Sequence, residues 1–246
     1  MTSPFVRLRP SGDAGVRLFC FPYAGGGAAV FRDWPAALPP QVEPVAVRLP
    51  GRESRFAEKP YDRMEPLVAH LLEESPGWLD RPYACFGYSM GARVALALTQ
   101  ELRRCDLPGP AALFVGGNAR PSVPTAIPGW NDTDEKLIEH LRALGGIPPE
   151  VLAEPDLLAL TLPTIRADLT VIATWRPRPE PVAAPIHAFA GTKDGYAPPD
   201  AMLAWAHQTA GTFRLTAVPG GHFFLHTEPR SVLEAVLADL APLVGA

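Results

Sequence analysis

The fold is decided by one stretch of the chain, Tyr83-Ala84-Cys85-Phe86-Gly87-Tyr88-Ser89-Met90-Gly91, which continues as Ala92-Arg93-Val94-Ala95-Leu96-Ala97-Leu98. Its first four residues form an apolar run typical of a buried strand, and its last seven have the composition of a helix. Between them lies a G-x-S-x-G sequence, which in a strand–turn–helix setting holds the serine on a tight, strained turn. We therefore predict an α/β fold in which Ser89 is a nucleophile. The alternative is a helix-capping serine in a glycine-rich turn.

On both sides of this turn, short apolar runs alternate with longer helix-like stretches, a pattern typical of βαβ units with a parallel sheet. An edge strand could pair at Phe5–Leu8. The predicted strands are Val16–Phe21, Pro44–Leu49, Tyr83–Phe86, Ala111–Val115, Ile186–Ala190 and Arg214–Val218. The predicted helices are Phe31–Leu38, Met64–Leu72, Met90–Arg104, Pro199–Ala210 and Pro229–Leu243.

The interval from Ala119 to Pro185 has no strand candidate, although a simple crossover needs only about a dozen residues. Prolines cluster at both of its borders, and helical patterns occupy Thr133–Leu144 and Pro155–Trp175. We predict that residues 119–185 form a helical lid inserted into a single domain that spans residues 1–246.

The composition narrows the class of protein. The 246 residues carry a net charge of −4 with 47% hydrophobic residues, which suits a sizeable core and does not favour nucleic-acid binding. No apolar run approaches the roughly 20 residues of a membrane-spanning helix, and the N-terminus lacks an apolar signal core. The three cysteines are far apart and suggest neither a disulfide framework nor a zinc site. We expect a cytoplasmic protein.

A serine nucleophile needs a base, and the base needs an acid to orient it. In folds with this turn the chain order is serine, acid, histidine. His222 follows Val218-Pro219-Gly220-Gly221, a loop between the last predicted strand and helix, and is our candidate base. His226 is the rival; the two form H-x-x-x-H, but Phe223 replaces the glutamate of a zinc protease, so we expect no metal. Two further downstream histidines are expected to be structural or exposed: His187 and His207.

The acid is expected on the loop after the penultimate strand. That loop reads Gly191-Thr192-Lys193-Asp194, so Asp194 is our candidate. Some proteins of this fold carry the acid one strand after the nucleophile helix, but here that position reads Gly116-Gly117-Asn118 and has no carboxylate. Asp200 begins a predicted helix and is better explained as a first-turn charge.

An oxyanion hole needs a second backbone donor from the loop after the first parallel strand. That loop reads Phe21-Pro22-Tyr23-Ala24-Gly25-Gly26-Gly27, so we predict that the N–H of Ala24 acts together with that of Met90. A glycine-rich loop after a strand could instead hold phosphate. Neither G-x-G-x-x-G nor G-x-x-x-x-G-K-[ST] is present, which disfavours that alternative.

Together these motifs resemble a known family, the type II thioesterases that accompany polyketide synthases and non-ribosomal peptide synthetases. Leu-Pro-Gly-Arg-Glu is the discriminating motif, since catalysis in a generic esterase gives no reason for it. The resemblance is carried by Leu18-Phe19-Cys20-Phe21-Pro22-Tyr23-Ala24-Gly25-Gly26, Leu49-Pro50-Gly51-Arg52-Glu53-Ser54-Arg55, Gly87-Tyr88-Ser89-Met90-Gly91, Gly220-Gly221-His222-Phe223-Phe224 and, in the lid, Leu162-Pro163-Thr164-Ile165-Arg166-Ala167-Asp168.

The resemblance implies an α/β-hydrolase fold, with a mostly parallel sheet flanked by helices and a helical lid. It also implies hydrolysis of aberrant or stalled acyl groups held as thioesters on the phosphopantetheine arm of an acyl or peptidyl carrier protein. Neither a metal nor a bound cofactor is required, and a monomer suffices chemically. Tyr88 departs from the family, which commonly has histidine beside the nucleophile. In the lid, Leu169–Trp175 replaces the acidic and aromatic residues that usually follow Asp168 in the family.

Alternative interpretations belong to other classes. One is a carboxylesterase, lipase or aminopeptidase of the same fold, and another is a non-catalytic hydrolase-like binding protein. The intact order of Ser89, Asp194 and His222 disfavours the latter. Arg52 and Arg55 could meet phosphate or an acidic carrier surface; otherwise they are solvated surface charges.

Overall fold

The computed structural model describes residues 3–10, 12, 14–119, 129–145 and 154–244. Its centre is a seven-stranded sheet with the order β1-β3-β2-β4-β5-β6-β7. Neighbouring strands are parallel except β1, which runs antiparallel to β3 at the edge. The strands are β1 (Phe5–Arg7), β2 (Val16–Phe21), β3 (Val42–Val47), β4 (Tyr83–Tyr88), β5 (Leu113–Gly116), β6 (Ile186–Gly191) and β7 (Phe213–Val218).

Helices connect these strands. The α-helices are α1 (Trp34–Ala37), α2 (Met64–Glu73), α3 (Met90–Arg104), α4 (Asp134–Leu144), α5 (Pro155–Thr174), α6 (Pro199–Met202), α7 (Phe224–Thr227) and α8 (Pro229–Val244). Short 3₁₀ helices occupy Ala28–Phe31, Glu53–Arg55, Pro76–Trp78 and Leu203–Gln208.

The predicted strands and helices are found with small shifts at their ends. Two predicted helices are each divided in two. Pro199–Ala210 becomes α6 followed by a 3₁₀ helix, and Phe31–Leu38 becomes a 3₁₀ helix followed by α1. In the second case Pro35 stands in the first turn of α1, where it has no N–H to continue the preceding turn and so begins a new helix.

Two hydrophobic layers cover the faces of the sheet. Apolar residues of α2, α3 and the insertion helices pack on one face, and those of α1 and α8 pack on the other. The central strands are therefore buried on both sides, which explains why they read as continuous apolar runs rather than as alternating patterns. All of the parallel strands end at one edge of the sheet, and the loops that follow them meet there.

The predicted insertion contains α4 and α5, while residues 120–128 and 146–153 lie outside the described part of the chain. By length and composition alone α5 could cross a membrane, contrary to the sequence-based expectation. Its inner face is nevertheless buried in this domain and includes the charged Asp168, which is 1% exposed. Such a face is typical of a core helix in a folded domain.

Candidate active site

Ser89 lies at the sharp turn between β4 and α3. Its backbone has φ +53° and ψ −113°, a strained conformation for a residue other than glycine. Its N–H donates a 2.7 Å hydrogen bond to the carbonyl of Gly116 at the end of β5. The flanking glycines are required by space, because a Cβ at Gly87 would lie 2.4 Å from the Gly91 oxygen and one at Gly91 would lie 2.1 Å from the Phe21 oxygen.

His222 and Asp194 meet at the same edge of the sheet, on the loops after β7 and β6. The two atoms His222 Nδ1 and Asp194 Oδ2 are 2.9 Å apart, and both side chains are buried. The other carboxylate oxygen of Asp194 accepts the N–H groups of Tyr196 at 2.8 Å and Ala197 at 3.0 Å. Burial opposes ionisation of Asp194, but the hydrogen bond from His222 and the two backbone donors lower its pKa below the usual value.

Tyr88 joins the serine turn to the histidine loop. Its ring is fully buried, and its O–H donates a hydrogen bond to the backbone carbonyl of His222. A Cβ at Gly117 would lie 3.3 Å from the Tyr88 ring and 3.4 Å from His222 Cε1, so the end of β5 lies against both rings. Among the described residues, Ser89 Oγ makes no hydrogen bond to His222; in free enzymes such contacts are often long and shorten when substrate binds.

Two backbone N–H groups remain the candidates for the oxyanion hole, those of Met90 and Ala24. Met90 is the first residue of α3, so its N–H has no acceptor within the helix. Ala24 lies in a turn closed by the Gly26 N–H on the Tyr23 carbonyl at 2.9 Å, and Gly25 takes φ +77° there. Neither Ala24 nor Met90 donates its N–H to any residue that the structure describes. A thioester or ester oxygen is the kind of acceptor that such a pair suits.

The predictions for Arg52 and Arg55 are wrong, since neither side chain is a solvated charge or is open to phosphate. Arg52 is 6% exposed and pairs with Asp168 of α5 at 2.7 Å. Arg55 is 2% exposed and pairs with Glu58 at 2.6 Å. The partner of Arg52 lies 116 residues away in the chain, so the local sequence does not reveal it. The partner of Arg55 is only three residues away, but the sequence pattern does not show that the fold buries this arginine.

Comparison with known proteins decides the family. The Thioesterase domain family matches residues 16–240, nearly the whole chain. This chain belongs to the thioesterase family. Its α/β-hydrolase fold and its membership of a family of thioester hydrolases are thereby confirmed, and the esterase and binding-protein alternatives are not favoured.

Several relatives of the thioesterase come from biosynthetic systems. It is 35% identical to the gramicidin S biosynthesis protein GrsT of Aneurinibacillus migulanus, covering 96% of this chain and 93% of that protein. It is 33% identical to the thioesterase PikA5 of Streptomyces venezuelae, covering 98% of this chain and 86% of that protein. The solved structure of the type II thioesterase BorB from the borrelidin biosynthetic cluster superposes with a TM-score of 0.88 at 33% identity. The match covers 97% of this chain and 98% of BorB. The predicted resemblance is therefore confirmed.

The other downstream histidines have different surroundings in the thioesterase. His226 is exposed and lies 3.1 Å from the Tyr23 hydroxyl. His187 is buried between Asp239 at 2.7 Å and Thr216 at 2.8 Å, where it ties α8 to the sheet. His207 is exposed. None of these three is hydrogen-bonded to Asp194 within the described structure. Nor does any group of three His, Cys, Asp or Glu side chains among the described residues form a metal site.

Sequence reasoning missed His140, on α4 of the insertion. Burial lowers the pKa of His140, and the charge of the nearby His222 lowers it further. A cleft of about 410 Å³ opens beside His222, between the end of α4 at Leu144 and the loop Pro219–Phe223. No signal in the sequence could have placed this helix, because a helical pattern alone does not say which loop the helix covers.

Proposed function

We propose that this thioesterase hydrolyses acyl groups from the phosphopantetheine thioester of acyl or peptidyl carrier proteins, and so removes aberrant or stalled units during polyketide or non-ribosomal peptide synthesis. The observation that carries the proposal is the match over nearly the full length of both chains to the type II thioesterase BorB. Support also comes from YbtT, a type II thioesterase of the yersiniabactin NRPS/PKS pathway, with 25% identity and a TM-score of 0.88.

We assign the catalytic steps to three side chains. His222 accepts the hydroxyl proton of Ser89 as the serine oxygen attacks the thioester carbonyl. The C–S bond then breaks, and the proton passes from His222 to the departing thiolate, which leaves an acyl-serine. Water, deprotonated by His222, attacks the acyl-serine and releases the carboxylic acid. The proton on His222 then returns to the Ser89 oxygen.

Asp194 and two backbone amides stabilise the charges that form during these steps. Asp194 stays ionised because its carboxylate has three hydrogen-bond donors, and it therefore stabilises the positively charged His222 that forms in each step. The N–H groups of Ala24 and Met90 hold the oxyanion of the tetrahedral intermediate. Loss of one such donor typically slows turnover by about 10²–10³-fold.

The insertion at residues 119–185 encloses the acyl chain in this proposal, and the cleft beside His222 admits the pantetheine arm. All of the assigned groups come from one chain, so a monomer is sufficient. A carrier-bound substrate places the enzyme in the cytoplasm. No metal or bound cofactor takes part, since phosphopantetheine belongs to the substrate.

The test is loss of acetyl and propionyl groups from a phosphopantetheinylated carrier protein, followed by intact-protein mass spectrometry. Wild type and Ser89→Ala run side by side, with the matching acyl-coenzyme A and a nitrophenyl ester as comparison substrates. We expect unloading of the carrier that depends on Ser89 and exceeds hydrolysis of the free thioester. Rapid ester cleavage with an untouched carrier would contradict the proposal.

A further inference from the structure

One carboxylate of the insertion joins three parts of the structure around the oxyanion loop, Tyr23–Gly27. Asp168 Oδ2 accepts the backbone N–H of Gly25 at 2.7 Å and the Arg52 Nη1 donor at 2.7 Å. Asp168 Oδ1 accepts Arg52 Nη2 at 2.8 Å, so the guanidinium binds the carboxylate through two donors. The three residues lie in separate segments, on α5, in the loop after β2 and in the loop after β3.

Arg52 contacts the same loop on its other side. Its Nη1 also donates to the carbonyl of Gly26 at 3.0 Å, and its Nε donates to the carbonyl of Pro50 at 3.2 Å. The N–H of Gly25 and the C=O of Gly26 are therefore both held by the ion pair. Because a hydrogen bond also closes the Tyr23–Gly26 turn, the direction of the Ala24 N–H follows from these contacts.

Packing from α5 strengthens this arrangement. A Cβ at Gly25 would lie 2.7 Å from the Ile165 side chain, so the helix lies directly against the loop. Thr164 Oγ1 donates to the carbonyl of Gly51 at 3.0 Å. This part of α5 is therefore packed against the oxyanion loop and hydrogen-bonded to the neighbouring segment at Gly51.

Burying an ion pair between two segments costs free energy, because both charges lose their hydration. Here the two charges also serve as donor and acceptor for a turn that carries a catalytic amide. We propose that Arg52 and Asp168 are positioning residues that orient the Ala24 N–H towards the oxyanion, and that this is the role of the arginine in the Leu-Pro-Gly-Arg-Glu motif. The inference rests on the proposed role of Ala24 as an oxyanion donor.

The test is Asp168→Asn, which keeps the size of the side chain but places an amide donor against Arg52 or Gly25. We expect kcat per active site to fall by about 10²-fold, as for loss of an oxyanion donor, with KM changed by less than about threefold. Affinity for an acyl trifluoromethyl ketone, which forms an oxyanion on Ser89, is expected to fall by the same factor as kcat/KM. Active sites are counted by fluorophosphonate labelling at completion.

Glu43→Gln is the matched control. It removes the carboxylate of the buried Arg17–Glu43 pair, which is 2.6 Å long and lies at the opposite end of the sheet. We expect this variant to lose stability while its kcat per active site and its affinity for the ketone stay unchanged. If Asp168→Asn behaves like Glu43→Gln, the pair is only structural and the inference is overturned.

Arg52→Lys provides the second variant, in case Asp168→Asn does not fold. It keeps the charge but cannot donate to both carboxylate oxygens and Gly26 in the same planar geometry. We expect the same pattern of lowered kcat with nearly constant KM, and full kcat in a folded Arg52→Lys protein would contradict the inference.

All variants are assayed on a loaded carrier and on an acyl N-acetylcysteamine thioester. A wild-type enzyme that cleaves only the small thioester contradicts the proposed function, while the variant-to-wild-type ratio on that substrate still tests the positioning role.

Discussion

The hydroxyl of Tyr88 donates a hydrogen bond to the backbone carbonyl of His222, so the residue before the candidate nucleophile holds the loop of the candidate base. The two residues are 134 positions apart in the chain. The Tyr88 ring also packs edge-on against Phe224, which follows the histidine by two residues. A single buried side chain thus links the serine turn to the histidine loop.

Tyr88→Phe is expected to lower both stability and turnover. The substitution leaves the buried carbonyl of His222 without its donor, which typically costs about 1–3 kcal/mol in the free energy of unfolding. It also frees the histidine loop, so we expect kcat to fall several-fold. Urea denaturation and thioester hydrolysis measure the two effects.

Tyr83→Phe is the matched control for that change. Tyr83 is also buried and donates its hydroxyl to a backbone carbonyl, that of Pro108, at the far end of β4. A similar loss of stability with an unchanged kcat is expected. Equal falls in kcat for both variants would show that Tyr88 acts only through general stability.

His222→Ala is expected to abolish hydrolysis, whereas His226→Ala retains most of it. Of these two histidines, His222 is hydrogen-bonded to Asp194, while the exposed His226 contacts the Tyr23 hydroxyl. Initial rates on a thioester, together with the rate of fluorophosphonate labelling of Ser89, provide the measurement. The reverse order of activities would reassign the base to His226.

Asp194 is expected to make stability depend on pH in the acid range. Its pKa is lowered in the folded protein, so the unfolded chain takes up the proton first as the pH falls. The resulting stabilisation is complete above the ordinary aspartate pKa of about 4 and is lost as the pH falls from there through the folded pKa. Asp194→Asn lacks this titration.

The measurement is the free energy of unfolding of wild type and Asp194→Asn at a series of pH values from neutral to acid. We expect a constant difference between the two proteins at higher pH that shrinks at lower pH. Asp200→Asn is the control, because Asp200 is exposed on α6 and is hydrogen-bonded to no described side chain of the site. A difference that persists unchanged into the acid range would contradict the prediction.

Gly91→Ala is expected to destabilise the fold strongly. The added Cβ would lie 2.1 Å from the Phe21 oxygen and 2.5 Å from its carbonyl carbon, both backbone atoms of β2 that cannot move without breaking the sheet. Overpacking typically costs about 1–3 kcal/mol, and we expect Gly91→Ala to reach the upper end of that range or exceed it because the clash is with backbone atoms. Gly109→Ala is the control, since nothing lies within 4 Å of its Cβ, and we expect its melting temperature to stay near that of wild type.

Most of the fold could be predicted from the sequence because strands and helices are marked by patterns of a few neighbouring residues. Apolar runs gave the strands, and helical periodicity gave α2, α3 and α8 within a few residues of their ends. The two divided helices were missed because a proline or a tight turn changes the hydrogen-bonding pattern without changing the apolar pattern. The order of Ser89, Asp194 and His222 was predicted from the chain order that is known for this fold. The loops that carry them were expected to meet because parallel strands bring their carboxyl ends to one edge.

The sequence by itself determined the strand–turn–helix around Ser89, the sheet that carries it and the family to which the chain belongs. The spacing of glycines, apolar runs and turns already encodes these features over a few residues. Only the tertiary structure decided that Arg52 is buried against Asp168, 116 residues away, and that Tyr88 holds the carbonyl of His222. A buried ion pair or hydrogen bond depends on which surfaces the packed core brings together, and neither partner carries a local mark of the other.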